Sequence, residues 1–384
     1  MDRLRWRWSA NTARIVLVSS VLLIVLYTRL YTSGFVSKGT NRSSTSYASS
    51  PVLAGCRSLL GVEDILVVLK TGATEALSKL PVHFTTTLHC IPHYLIISDY
   101  AETINDNALV DVLQSVNEDI RRTVPEFELY NRLSESGRGA LQSDEVSRWA
   151  LTPNTNQGKD NPAWKLDKWK FLPMVESASN HKPDARWYVF LEADSYICWP
   201  NLLAWLALYN SDEPHYLGSQ MQIGSTVFAY GGAGYAISQP AMRKVVEYRR
   251  AHLTELEEYT RNNWAGDEVL GHALLQAGVP LQWTYPNTQN ELPGRIDYTS
   301  IAYGKRIWCY APIGWHHMDP TDIESMYAFD RAWNYTVCSP SLKTSQKTPQ
   351  QTLNGRELTH CRAGATPSSP GCLSRAHPST NPAS

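Results

Sequence analysis

The sequence is short of charge, and what it has is not concentrated. Asp, Glu, Lys and Arg make up 18% of its 384 residues, and the formal net charge is -1. No basic block stands out beyond the N-terminus, which argues against a nucleic-acid partner. Cysteine is sparse as well. The seven are Cys56, Cys90, Cys198, Cys309, Cys338, Cys361 and Cys372, and none forms a C-x-x-C pair. That argues against a zinc-knuckle site. In an oxidising compartment several should pair, and the odd count leaves at least one without a partner in the chain. Long apolar runs are lacking too, except for Ile15 to Tyr27, which only Ser19 and Ser20 interrupt.

That one run follows Arg3, Arg5, Arg7 and Arg14 and is broken by Arg29, with Leu30, Tyr31 and Phe35 extending its apolar character. A spanning helix normally needs ~20 apolar residues, so the run is short for one. It has no clear A-x-A site, although Thr32 and Gly34 could serve. We read residues 1–14 as a cytoplasmic tail, 15–31 as a signal anchor and 32–54 as a Ser/Thr-rich stem, with a cleaved signal peptide as the alternative. The body would then be lumenal, in keeping with the sequons Asn41-Arg42-Ser43 and Asn334-Tyr335-Thr336. Residues 339–384 are rich in Ser, Thr, Pro and Gly and are expected to be a low-complexity, mostly disordered tail. Residues 55–338 remain as a single large domain, ample for a buried core.

Within the domain, Ile65 to Leu69 is a buried-strand pattern that runs into Lys70-Thr71-Gly72. A helix and then a second strand, His93 to Ser98, ending at Asp99, make a Rossmann-like α/β opening. Thr71 and Asp99 end these strands, where they either border a ligand or are plain loop residues. Residues 101–150 read as polar and helical, with Val110, Leu113 and Val116 at helical spacing. Residues 151–163 read as a loop. Trp164 to Ala178 reads as one amphipathic helix, with Lys165, Lys168 and Lys170 on a solvated face.

Trp187 to Leu191 is five apolar residues that run straight into Glu192-Ala193-Asp194. Such a run fits a strand buried on both faces. Acid at its carboxyl end suits a metal or polar ligand, and an ordinary acidic turn accounts for it equally well. Pro200 can open a helix. Tyr230-Gly231-Gly232-Ala233-Gly234-Tyr235 allows close backbone approach, and its tyrosines would suit a sugar face; the other reading is a structural turn. Ser238 is placed to cap the next helix. Another helix starts at Trp264-Ala265-Gly266-Asp267-Glu268 and ends at Gly278. There Asp267 is an N-cap, or a carboxylate kept ionised by the helix N-terminus. The last informative block is Trp315-His316-His317-Met318-Asp319. Adjacent histidines on a strand point opposite ways, so one at most would be a ligand.

The order E-A-D, G-G-A-G-Y, D-E-V-L-G, W-H-H-M-D resembles the fringe-like and core 1 β-1,3-galactosyltransferase-like members of glycosyltransferase family 31 over about residues 62 to 330. That family carries a D-x-D type motif, a G-G-A-G-Y segment, an E-D-V-x-x-G segment and a late F-H motif in this order. The resemblance implies an α/β, GT-A-like mixed sheet flanked by helices in a single-pass type II Golgi membrane protein. It also implies an enzyme that moves a hexose or N-acetylhexosamine from a UDP-sugar to a glycan or glycoprotein hydroxyl, with inversion and a β-1,3 linkage. Asp194 and His316 match the family's metal contacts. Glu192 stands where the family has Asp and would take a ribose or supporting role. Gly231, Gly232, Ala233, Gly234 and Tyr235 match the sugar-pocket segment. Counting back from Gly271 places Asp267 as the base, with Gly266 where the family has Glu and Glu268 as the alternative.

A diphosphate leaving group needs its developing charge neutralised, and a mixed oxygen and nitrogen ligand set suits Mn²⁺ better than Ca²⁺. Two other classes stay open. One is a non-catalytic relative that binds a glycan or nucleotide sugar, favoured by Glu192 and Gly266. The other is a secreted glycoside hydrolase that uses Asp194 and Asp267 as its carboxylate pair.

Overall fold

β-Branched and aromatic runs build the centre of the molecule. The computed structural model describes Cys56, residues 59–150 and 161–332, and the pairs Thr352–Leu353 and Arg356–Glu357. In chain order its strands are β1 (Ile65–Lys70), β2 (Tyr94–Ser98), β3 (Glu102–Ile104), β4 (Asn107–Asp111), β5 (Trp187–Glu192), β6 (Tyr196–Ile197), β7 (Tyr216–Gly218), β8 (Gln220–Ile223), β9 (Thr226–Ala229), β10 (Tyr235–Ser238), β11 (Gln282–Trp283), β12 (Ile301–Ala302), β13 (Lys305–Arg306), β14 (Gly314–Trp315), β15 (Thr352–Leu353) and β16 (Arg356–Glu357). The helices that matter here are α1 (Ala76–Thr85), α2 (Pro162–Asp167), α3 (Phe171–His181), α4 (Trp199–Leu206), α5 (Gln239–Ala251) and α6 (Gly266–Gln276).

One eight-stranded sheet has the order β11-β7-β10-β5-β1-β2-β4-β3. β1 lies parallel to β2 and β5, while β10 runs antiparallel to β5 and β7, so the sheet is mixed. This is the GT-A-like α/β architecture that the resemblance implied. Successive side chains of a strand point to opposite faces. In β1, Leu66 and Val68 accordingly join one core with Phe171, Met174 and Val175 of α3, Met242 and Val245 of α5 and Val269 and Leu270 of α6. Ile65, Val67 and Leu69 join the other with Leu80 of α1 and Leu202 and Leu206 of α4. Helices on both faces explain why β1 and β5 read as unbroken apolar runs rather than alternating ones.

Several expectations need correction. The stretch read as helical from 101 onward opens instead with the hairpin β3–β4. Asn105 and Asp106 turn it with positive φ, a conformation these two residues tolerate, and Val110 lies exposed on β4. Trp164 to Ala178 is not one helix but α2, a 3-10 turn at Lys168–Lys170, and α3. Residues 219–229 hold the hairpin β8–β9, which no long apolar run in the sequence marks. Ser238 does stand at the N-cap of α5, but its hydroxyl donates to Glu213 O at 2.7 Å and makes no cap bond. Helix α6 ends as expected, with Gly278 at φ 76.

Cys56 and Cys90 form a disulfide, and Cys309 is also disulfide-bonded. The expected cytoplasmic tail, signal anchor and stem, both sequons, and nearly all of the 339–384 tail lie outside the described residues. No helix among the described residues is long and apolar enough to cross a membrane.

Candidate active site

Glu192 and Asp194 sit where β5 ends, and three loops are locked together around them. Ser195 Oγ donates to Gly232 O at 2.7 Å, which ties the acidic turn to the glycine-rich segment. Met318 N donates to Asp194 O at 2.9 Å, which ties the same turn to the stretch after β14. The acidic turn is braced from α1 by His83, whose Nε2 lies 2.9 Å from Ala193 O.

These links bring Asp194, His316 and His317 together, with one potential ligand atom from each within 4.8 Å of the others. The histidines do not diverge as a strand would make them, because β14 ends at Trp315 and His317 has φ 61. Their rings stack with centroids 3.8 Å apart. His316 Nε2 lies 3.2 Å from Asp194 Oδ1. Even so, both of its ring nitrogens are buried without hydrogen-bond geometry to any described residue. A buried polar atom left unsatisfied costs free energy unless something else meets it. An oxygen and imidazole nitrogens that converge within 4.8 Å fit a divalent ion with borderline ligand preference. Gly232 makes room for this arrangement, since a Cβ there would lie 2.1 Å from His316 Cε1.

Charge balance points the same way. Burial alone would raise the Asp194 carboxyl, but contact with His316 and the charge of Lys79 outweigh it and hold the group far below the usual carboxylate range. Asp194 is therefore a fixed anion. Lys79 Nζ, on α1, lies 3.5 Å from Asp194 Oδ2 and 2.8 Å from Glu75 Oε2. Glu192 is held differently: its Oε1 is 3.1 Å from Lys70 Nζ, which also pairs with Asp167.

Asp267 is the second residue of α6 proper, not its N-cap, which is Ala265. Its Oδ2 accepts from Gly231 N at 3.0 Å and its Oδ1 from Glu268 N at 3.0 Å. The helix start was expected to keep it ionised. Burial raises its pKa to about 6, with the Glu192 charge adding to the rise and the two N–H bonds opposing it. Glu268, the alternative base, is turned into the core, where Tyr259 OH donates to its Oε1 at 2.7 Å.

The remaining expected contacts fare unevenly. Thr71 and Asp99 do end β1 and β2, but both are buried. Asp99 Oδ1 accepts from Ala73 N at 2.7 Å and its Oδ2 lies 3.0 Å from Lys170 Nζ, so this carboxylate braces the Gly72 turn. Lys168 and Lys170 are correspondingly buried, not solvated, while Lys165 is exposed. Tyr235 is a core residue that stacks on Phe190 at 4.9 Å and offers no sugar face. Tyr230 is the tyrosine beside the site, edge-on to His316 at 5.4 Å. Gly231, Gly232, Ala233 and Gly234 form the turn between them, Gly234 at φ 75. Sequence reasoning missed Lys70, Lys79 and the second histidine. Lys70 stood at the end of a strand already singled out, whereas nothing in the spacing of α1 marked Lys79.

The model of the Fringe-like family matches residues 143–284. That span holds the acid-ended strand, the glycine-rich turn and Asp267, and it stops short of His316. The Fringe-like family lies within the glycosyltransferase family 31 group, so the match agrees with the resemblance read from the motifs. It gives the chain glycosyltransferase as its general activity.

Proposed function

We propose that this glycosyltransferase is inverting and metal-dependent and moves a hexose or N-acetylhexosamine from a UDP-sugar to a hydroxyl of a glycan or glycoprotein, forming a β-1,3 linkage. It would work in the Golgi lumen as a single-pass type II membrane protein anchored through residues 15–31. The observation that carries the reading is the convergence of Asp194, His316 and His317, with one potential ligand atom from each within 4.8 Å of the others.

Asp194 and His316 would hold Mn²⁺, with His317 within reach as a further ligand. A bound divalent ion supplies Lewis-acid neutralisation of the diphosphate leaving group. The chain's own residues do the rest. Lys79 adds a second positive charge on the Asp194 side, where leaving-group charge would build. Asp267 takes the proton from the acceptor oxygen. With a pKa of about 6 it is ionised at neutral pH yet far more basic than an ordinary aspartate, which suits a general base. Its bonds from Gly231 N and Glu268 N fix the carboxylate, so little reorganisation is needed when the proton arrives. The Gly231–Gly234 turn would shape the sugar pocket, with Tyr230 rather than Tyr235 as its aromatic wall. Glu192, steadied by Lys70, would meet the ribose. Thr71 and Asp99 would support the nucleotide side from beneath rather than touch it.

The full-length chain, supplied with Mn²⁺, a panel of UDP-sugars and glycan acceptors, should release UDP, and a chelator should stop it. Cleavage of glycans with no nucleotide present would instead make Asp194 and Asp267 a hydrolase pair and end this reading.

A further inference from the structure

Trp283, Tyr285 and Tyr303 form an aromatic cluster that the proposed chemistry does not use. Trp283 lies 4.5 Å from Tyr303 and 5.7 Å from Tyr285, and Tyr285 lies 5.5 Å from Tyr303, all between ring centroids. Trp283 is 38% exposed and Tyr303 74% exposed. Core aromatics do not explain this, because the rings pack on one another and leave their outer faces in water. The cluster is also held in place. Tyr303 and Gly304 both have positive φ and turn the β12–β13 hairpin, which presents Tyr303. Lys305 Nζ donates to Tyr285 O at 2.7 Å and stands 5.7 Å from the Trp283 ring.

The topology fixes where this surface stands. β11 is parallel to β7, and β7 and β5 are both antiparallel to β10, so β11 points the same way as β5. Trp283 therefore ends β11 on the sheet edge where Glu192 ends β5. Trp283 lies level with Phe190, two residues before Glu192, and three inter-strand steps away, or about 14 Å across the sheet at the usual strand spacing. One sugar ring at the metal cluster cannot reach that far, whereas a chain of several can.

We propose that Trp283, Tyr285 and Tyr303 form a distal subsite that stacks on a sugar ring of an extended glycan acceptor. The acceptor would then be an oligosaccharide several rings long rather than a single sugar. Flat apolar faces rimmed by phenol hydroxyls and an ammonium match a pyranose, whose C–H face is apolar and whose edge is polar. The assignment of this glycan as acceptor rests on the transfer reaction proposed above, whereas the binding itself does not.

The test is saturation-transfer NMR on the full-length chain with three neutral tetrasaccharides as probes: chitotetraose, mannotetraose and a repeat of galactose and N-acetylglucosamine. UDP–Mn²⁺ binding is followed separately by calorimetry. We expect saturation of the ring C–H protons of at least one probe. The signal should fall at least fivefold in Trp283→Thr and in Tyr303→Asn, with UDP–Mn²⁺ binding unchanged. Thr suits a strand and Asn tolerates the positive φ, so both variants should fold. No transfer from any probe, or transfer untouched by both substitutions, overturns the subsite. A change from dimer to monomer in either variant shows that a second copy covers these rings, and overturns it as well. Tetrasaccharide binding without UDP–Mn²⁺ binding would keep the glycan site while removing the transferase reading.

Discussion

Asp267 meets two opposed demands, and both can be measured. Its carboxyl titrates near 6 in the fold against an ordinary 3.8, because burial disfavours the anion. A group raised in this way contributes stability below about pH 4 and loses it as pH rises through 6. Asp267→Asn removes that titration, so the Tm of the variant relative to wild type should increase between pH 4 and 7. A constant difference would place the carboxyl at its ordinary value. Activity should move the other way. Acceptor kcat/KM should climb with pH up to about 6 and then level off, and Asp267→Asn should lower kcat by about 10²–10⁴-fold. Gly232 offers a second test, since any side chain there displaces the His316 imidazole. Gly232→Ala should weaken Mn²⁺ binding about 10–100-fold, the usual cost of disturbing a ligand's support, as read by calorimetry. At this scale the sequence carried Asp194, His316 and Asp267 through motif order. It did not carry Lys79 or His317, whose places depend on a helix docking and on one left-handed backbone angle.

Helix α6 shows how an element can tolerate a departure from the family pattern. A Cβ on Gly266 would lie 2.7 Å from Lys168 Cα, and one on Gly271 would meet Phe228. The helix is thus pressed against the 3-10 turn at its start and against β9 at its middle. Restoring the acid that the family carries at position 266 would force α6 away from that turn. Gly266→Ala should therefore destabilise the fold by about 1–3 kcal/mol through overpacking, seen as a lower Tm. An unchanged Tm would mean that α6 is free to shift. Elements buried on both faces were legible because burial demands unbroken apolar runs: β1, β2 and β5 fell where the sequence placed them. The hairpins β3–β4 and β8–β9 were not, because short strands with exposed faces carry no such run. The break between α2 and α3 was hidden because Lys168 and Lys170 look solvated until their partners, Glu126 and Asp99, are brought in from elsewhere.

For the whole molecule, the sheet gathers the ends of β1, β5 and β11 along one edge, while the loop carrying His316 returns to it after an excursion of more than a hundred residues. Such closures depend on distant pairings that no local pattern records, and for that reason the site was legible only as an order of motifs. The Cys56–Cys90 bridge pins the start of the domain across a separation of 34 residues. Cys56→Ser should cost about 2–4 kcal/mol, read as a lower Tm in the variant. The central claim is that Asp194 and His316 hold a divalent ion that recruits a nucleotide diphosphate. The most direct measurement is calorimetric titration of UDP into the full-length chain, with and without Mn²⁺, for the wild type and for Asp194→Ala. Binding should require Mn²⁺ and disappear in Asp194→Ala. UDP binding of equal strength without metal, or undiminished in that variant, would contradict that claim.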